Sequence, residues 1–248
     1  MALIAGASFF LNLVPGSVLQ YLHFRWGLLA SQILFIAGPA IMAVRWFYLD
    51  RAAVLPFIVV RSRWLVATLA GAVGLNHLLT VAMIWQERFF PQPRILRALL
   101  ENFLDYRDVL DLSLLLILAA GIVPVCEEIL FRGFLQSGLI RLMESAPKGI
   151  VAGAFVFAAF HLDPWRFIAT LTLGLWLGFL AHRSGSLLPP IAAHAVNNLL
   201  AITLTEPGSG LPRMESSIIS LVAAGALVLM AFFVARKRAA GREATGML

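Results

Sequence analysis

Long runs without a charged residue alternate with short polar segments along the chain, and the runs have the length of membrane spans. Met1 to Leu22 carries no charge and is interrupted by Pro15–Gly16, so it reads as a first span kinked at that point. Trp26 to Val44 is a second span. Arg45 to Arg63 holds four Arg and one Asp among apolar residues and reads as a basic interfacial loop. Trp64 to Trp85 is a third span with a tryptophan at each end, as at membrane interfaces. Asn76 and His77 lie inside it, where a lone histidine reads as a hydrogen-bonded packing residue. From Gln86 to Asp108, Ile95, Leu96, Leu99, Leu100, Phe103 and Leu104 recur at helical spacing among four Arg and four acids. That pattern predicts an amphipathic helix on the membrane surface.

The fourth span starts near Val109 and runs through Glu127–Glu128. Phe134, Leu135, Leu139 and Ile140 prolong it toward Arg141, which predicts one long helix broken by Pro147–Lys148–Gly149. The fifth runs from Ile150 past His161 and ends near Asp163–Pro164. The sixth, Phe167 to Ala181, carries Gly174-xxx-Gly178, a small-residue face for close helix contact. His182 to Gly185 is a turn. The seventh, Leu187 to Thr205, contains Pro189–Pro190, His194, Asn197 and Asn198. Glu206 to Glu215 is a polar loop, and the eighth span, Ile218 to Ala235, stops at Arg236–Lys237–Arg238. The expected fold is therefore all-α: a polytopic membrane protein with about eight transmembrane helices. Its expected parts are N-terminal transmembrane helices with interfacial segments over 1–108, a core over 109–205, and a last helix with a basic cytoplasmic tail over 206–248.

Composition closes off other classes. The chain is 60% hydrophobic and 13% charged, which excludes a soluble domain. Its net charge of +6 lies between the apolar runs and at the tail, as topology signals do, and does not form a nucleic-acid surface. With the N-terminus inside, 12 of the 19 Lys and Arg fall on the cytoplasmic side, which predicts both termini in the cytoplasm. The single cysteine, Cys126, excludes an intramolecular disulfide and a cysteine metal cage, and its apolar setting suits packing. Met1–Ala2–Leu3–Ile4 lacks a basic n-region, so no cleaved signal peptide is expected. Compact loops and a short chain point to a bacterial inner membrane.

The chemistry centres on Glu127–Glu128 and Arg132. Charge at membrane depth costs a few kcal/mol or more per group, so a chain that keeps it there uses it. Glu128 and Arg132 are i,i+4 with the acid first, which lets them pair. Glu127 points about 100° away and is left free. An antiparallel hairpin turning at 146–147 would set position x opposite 293 − x. His161 then comes within about one turn of the Glu/Arg face. His194 and Asn198, also i,i+4, share a face of the seventh helix.

A carboxylate and an imidazole around one water make a general base for hydrolysis. A second imidazole and an amide suit a developing oxyanion. Adjacent carboxylates resist ionising together, so one can serve as an acid. Neither Gly-x-Ser-x-Gly nor HExxH is present, and Ser137 shows no sign of activation. Two His and two Glu leave a zinc site open. A proton-coupled transporter would use the same groups as a relay, but the chain shows no two-fold internal repeat.

Glu127–Glu128-xxx-Arg132, Phe157-xxx-His161 and His194-xxx-Asn198, in this order, resemble the three signatures of the CAAX protease and bacteriocin-processing (CPBP, or Abi) family. Leu173–Gly174–Leu175–Trp176–Leu177–Gly178 and Ser184 to Ile191 are similar to that family too. The resemblance covers about 110 to 205. It implies an intramembrane endopeptidase of the type II CAAX prenyl endopeptidase or lysostaphin-resistance-protein kind. In that reading Glu127 and His161 activate water, His194 and Asn198 form the oxyanion site, and Glu128 and Arg132 hold the first-motif helix in place. Phe157 and Asn197 are packing or supporting residues, and His23 and His182 lie at interfaces. The family has been described both as metalloproteases and as glutamate-dependent proteases; the absence of HExxH favours no cofactor. Expected partners are a protein or peptide substrate with a membrane-proximal cleavage site and the lipid bilayer. The alternative is a non-enzymatic immunity or scaffold protein that binds a peptide or partner in the same cavity.

Overall fold

The structure, a computed structural model, describes residues 1–47, 49–204 and 217–236. Among these residues every regular element is helical. The chain forms α1 (Ala2–Leu22), α2 (Phe24–Trp46), α3 (Ser62–Phe89), α4 (Arg94–Leu104), α5 (Val109–Met143), α6 (Ala146–Phe160), α7 (Phe167–Ser184), α8 (Leu188–Thr203) and α9 (Ile218–Ala235). One helical turn, Arg51–Val54, interrupts the connection between α2 and α3. Each of the eight apolar runs is a helix. Five of them, α1, α2, α3, α5 and α9, are long and apolar enough to cross a membrane. The shorter α6 and the polar-bearing α7 and α8 pack among them. The polar loop at 206–215 and the tail from Lys237 lie outside the described residues.

The amphipathic segment is α4, and none of its residues is buried. The expected kink at Pro15 is absorbed by a π-helical turn, Asn12–Gly16, so α1 continues through it. The basic loop before α3 is tied down: Leu187 N–H donates to Pro56 O at 2.8 Å, and Ser186 Oγ donates to Ile58 O at 2.6 Å. Two basic residues counted as topology signals are side chains of the interior. Arg132 lies within α5, and Arg25 on α2 bonds Asp111 Oδ1 at 3.0 Å and the Phe103 carbonyl at 3.2 Å. Removing one from each side keeps the direction of the charge bias.

The α5–α6 hairpin departs from the expected register. Pro147 sits in the first turn of α6, where its missing N–H is no loss, and it starts that helix instead of breaking the previous one. The chain turns at Glu144, which takes left-handed geometry at φ 50°. Gly149 therefore lies against Ile140, where an added Cβ would sit 2.7 Å from the Ile140 backbone, and Gly153 faces Gln136. Arg132 lies over Phe157, with 4.2 Å from its guanidinium carbon to the ring centre. Facing positions thus sum to 289, one helical turn from the expected 293. This brings His161 opposite Glu128.

Two apolar clusters hold the bundle. Ile36 and Ala40 of α2 pack with Leu130, Phe131 and Phe134 of α5 and with Phe157 of α6. Trp64 and Leu75 of α3 pack with Trp176, Leu177 and Leu180 of α7, Ala193 of α8 and Ala231 of α9. The small residues permit close approach: a Cβ on Gly74 would meet the Ala224 carbonyl at 2.6 Å. The Gly174-xxx-Gly178 face works in the same way and also supplies acceptors. Arg132 donates to Gly174 O at 3.3 Å, and Gln136, one turn on, donates to Gly178 O at 3.0 Å. Two i,i+4 side chains of α5 thus fasten two i,i+4 carbonyls of α7.

Candidate active site

The site lies where α6 ends. From Glu127 back to Val109, α5 runs on without α6 beside it, because His161 is the first residue past that helix. Leu162, next in the chain, has φ 50°, a left-handed conformation that leucine seldom adopts. Asp163 holds the turn, accepting from Trp165 N–H at 3.0 Å and Arg166 N–H at 3.2 Å.

The two adjacent glutamates have different surroundings. Glu128 is fully buried at 0% exposure. Its Oε1 accepts from Arg132 at 2.8 Å and from His194 Nδ1 at 2.9 Å. Arg132, itself buried, completes its contacts with the Gly174 carbonyl and the Phe157 ring. Glu127 retains 13% side-chain exposure. Its Oε2 is shielded and has no hydrogen-bond partner among the described residues; His194 Nε2 lies 3.8 Å away, beyond hydrogen-bond reach. His194 therefore stands between the two carboxylates.

His161 is exposed, and its Nδ1 bonds the Phe157 carbonyl at 2.8 Å. Among the described residues no hydrogen bond joins it to Glu127 or Glu128. Phe157 links the two histidines. Its fully buried ring meets His161 edge-on at 4.8 Å and His194 at 5.8 Å between centroids. Read from sequence as a packing residue, it is the common platform for Arg132 and both imidazoles.

The tautomers follow from fixed acceptors. A backbone carbonyl only accepts, so His161 Nδ1 carries a hydrogen. Glu128 Oε1, paired with Arg132, is likewise an acceptor, so His194 Nδ1 also donates. In the neutral rings both Nε2 atoms are then lone-pair acceptors.

Asn198 shares the His194 face, one turn toward the end of α8. Its Nδ2 donates to Ala119 O on α5 at 2.9 Å, and its Oδ1 accepts from Asn197 at 3.4 Å. Ser137 spends its hydroxyl on the Gly133 and Phe134 carbonyls of its own helix. Cys126 is buried. Among the described residues no three His, Cys, Asp or Glu side chains converge as a metal ion requires. His23 joins α1 to α2 and His182 lies in the last turn of α7, both at helix ends. Sequence reading noted Asn76 inside its span but gave it no role. It is buried in α3, and its Nδ2 reaches Asn197 Oδ1 at 3.2 Å. A buried polar side chain inside a span marks such a position in advance, but not its partner.

Comparison with known proteins agrees with the motifs. Residues 110–200 match the family model described as type II CAAX prenyl endopeptidase Rce1-like. A Bacillus subtilis (strain 168) protein described as "Putative membrane peptidase YdiL" is 27% identical over 127 residues, 50% of this chain and 52% of that protein. The chain thus spans about half the length of the curated relative it matches. No solved structure matches.

Proposed function

We propose that this member of the CAAX protease and bacteriocin-processing family is an intramembrane endopeptidase in which Glu127 and His194 hold and activate a water. The observation that carries the reading is the unpaired, shielded Glu127 Oε2, 3.8 Å from His194 Nε2. A shielded carboxylate oxygen with no partner calls for a ligand or a function; Glu128 Oε2 is unpaired too, but Glu128 is fully buried, whereas Glu127 keeps the exposure that admits a water. Two acceptors facing each other at that distance suit a water that donates one hydrogen to each, at about 2.8 Å. Its oxygen lone pairs then point away from both, toward a substrate carbonyl.

As the water oxygen bonds to the carbonyl carbon, its proton passes to Glu127 and the carbonyl oxygen becomes an oxyanion. Asn198 has a second amide hydrogen beyond the one on Ala119 and supplies a donor for that oxyanion. The C–N bond then breaks, and the proton held by Glu127 goes to the departing amine. His161, with Nε2 unbonded at the rim, offers a second site to relay it. Glu128 and Arg132 hold His194 in the tautomer and orientation this requires. In this reading His194 serves the water through its Nε2, and the oxyanion role rests with Asn198. The substrate is a peptide segment at or in the bilayer.

Cleavage of a membrane-extracted peptide library by purified wild type and Glu127→Gln, with and without a strong chelator, tests this. Wild type should cut in both conditions and the variant in neither. Wild-type activity in Glu127→Gln refutes the reading. Loss on chelation alone reassigns Glu127, His161 and His194 as metal ligands. A biological effect that survives Glu127→Gln points instead to the non-enzymatic, partner-binding role.

A further inference from the structure

Three asparagines on two helices form a one-way chain that ends at the site. Asn76 Nδ2 donates to Asn197 Oδ1 at 3.2 Å and to the Asn197 carbonyl at 3.4 Å. Asn197 Nδ2 donates to Asn198 Oδ1 at 3.4 Å, and Asn198 Nδ2 donates to Ala119 O at 2.9 Å. Both ends of this chain are backbone carbonyls, which only accept. Asn198 must present its NH2 to Ala119, so its oxygen faces Asn197. Asn197 must then present its NH2, and its oxygen faces Asn76, which must donate. No amide in the series can flip without placing oxygen against oxygen.

The acceptor at the far end is created by local sequence. Ala119 lies in a π-helical turn, Leu118–Ile122, where the Val123 N–H bonds Leu118 O. The next donor in that winding would come from residue 124, which is proline and has no N–H. The Ala119 carbonyl is therefore open to a side chain from another helix, and Asn198 fills the place.

We infer that Asn76 on α3 is a positioning residue for the reaction: through Asn197 it fixes which end of the Asn198 amide faces α5, and so keeps a second amide hydrogen free for the oxyanion. The inference rests on the endopeptidase reading for its catalytic consequence, but not for the geometry. Asn76 lies outside residues 110–200 that match the family model. Its burial at 6% exposure in an apolar span is explained by this task, since a buried amide is costly without partners.

Asparagine labelling with 15N makes the chain observable, because the protein has five asparagines, at 12, 76, 102, 197 and 198. The detergent-solubilised full chain is compared with Asn76→Leu, which removes the donor, and Asn76→Asp, which offers only acceptors. The Asp variant invites Asn197 to turn and donate to it, and this reverses the chain at Asn198. In both variants the Asn198 side-chain amide signals should shift and exchange with water about tenfold faster or more. Kinetics use a quenched fluorescent peptide copied from the first library sequence that wild type cuts. There kcat should fall about 10- to 100-fold in Asn76→Asp, reaching the lower end of the range for a lost oxyanion donor because the amide is turned and not removed, and less in Asn76→Leu. KM should stay within about twofold in both.

A merely structural Asn76 gives no such ordering and moves KM or the melting temperature instead. Unmoved Asn198 signals in Asn76→Leu overturn the inference, and so do moved signals with wild-type kcat. If wild type cuts no peptide, the endopeptidase reading fails by itself. The Asn198 signals then decide whether Asn76 sets the amide.

Discussion

Replacing each of the two adjacent glutamates should give opposite results for stability. Glu128→Ala removes the acceptor shared by Arg132 and His194, both buried. Arg132 would keep the Gly174 carbonyl at 3.3 Å and the Phe157 ring at 4.2 Å, but lose the carboxylate it contacts. Breaking a buried ion pair from one side costs about 3–5 kcal/mol. For a chain of this size each kcal/mol moves the melting temperature by about 2–4 °C, so the variant should melt about 6–20 °C below wild type. Glu128→Gln keeps an oxygen for both donors and should fall between. Glu127→Gln disturbs no hydrogen bond at Oε2, so its melting temperature should stay within about 2 °C of wild type or rise, while activity disappears. Tryptophan fluorescence during heating in detergent reads this directly, since Trp64 and Trp176 are buried reporters. Melting temperatures for Glu127→Gln and Glu128→Ala within 3 °C of each other would refute the assignment of one carboxylate to structure and the other to chemistry.

Gly178→Ala should destabilise by about 1–3 kcal/mol through overpacking, because the new Cβ would lie 2.5 Å from Gln136 Oε1. In a Gln136→Ala background part of that cost should vanish, which a double-mutant cycle by thermal melts would detect. Single cysteines placed at exposed Arg107 and Lys148 test the orientation, because buried Cys126 should not compete for a membrane-impermeant maleimide. With the termini in the cytoplasm, intact cells should label the cysteine at 107 and not the one at 148; the reverse pattern inverts the topology. Arg107→Ala should change stability by less than about 0.5 kcal/mol, since its contact with Asp111 is 3.9 Å long on an exposed side chain, and a melt shift beyond that would refute it.

The eight apolar runs were legible because a span needs only length and hydropathy, and each run is a helix. Local pairs were legible for the same kind of reason. Glu128 with Arg132, and His194 with Asn198, are set by i,i+4 spacing whatever the rest of the chain does. What depended on a turn was off by one helical turn. Pro147 reads as a breaker in a string, yet in the first turn of a helix it is a good starter. Glu144 takes the left-handed position that a glycine would have announced. The pairing of His161 with Glu127 came from the family resemblance, since register alone set His161 within about one turn of the Glu/Arg face; in the structure His194 lies between the glutamates. Spacing along α8 placed His194 on a face but could not say where that face points.

The remaining gap is of a different kind. α5 contributes both glutamates, but the groups that orient them and their neighbours come from across the bundle. α7 offers the Gly174 carbonyl to Arg132, α8 brings His194 and Asn198, and α3 brings Asn76 from 121 residues away from Asn197. Pro124 and the π-helical turn beside it open the Ala119 carbonyl that gives the amide chain its direction. A proline within an apolar run thus has a consequence on another helix. The polarity of Asn198 is decided by two backbone carbonyls and one side chain that lie nowhere near one another in sequence. Periodicity registers each of these residues singly, as a kink or a polar residue in a span. Only the folded arrangement turns them into a device that holds one amide the right way round, and that device draws α3 into a site whose recognisable motifs all lie between 110 and 200.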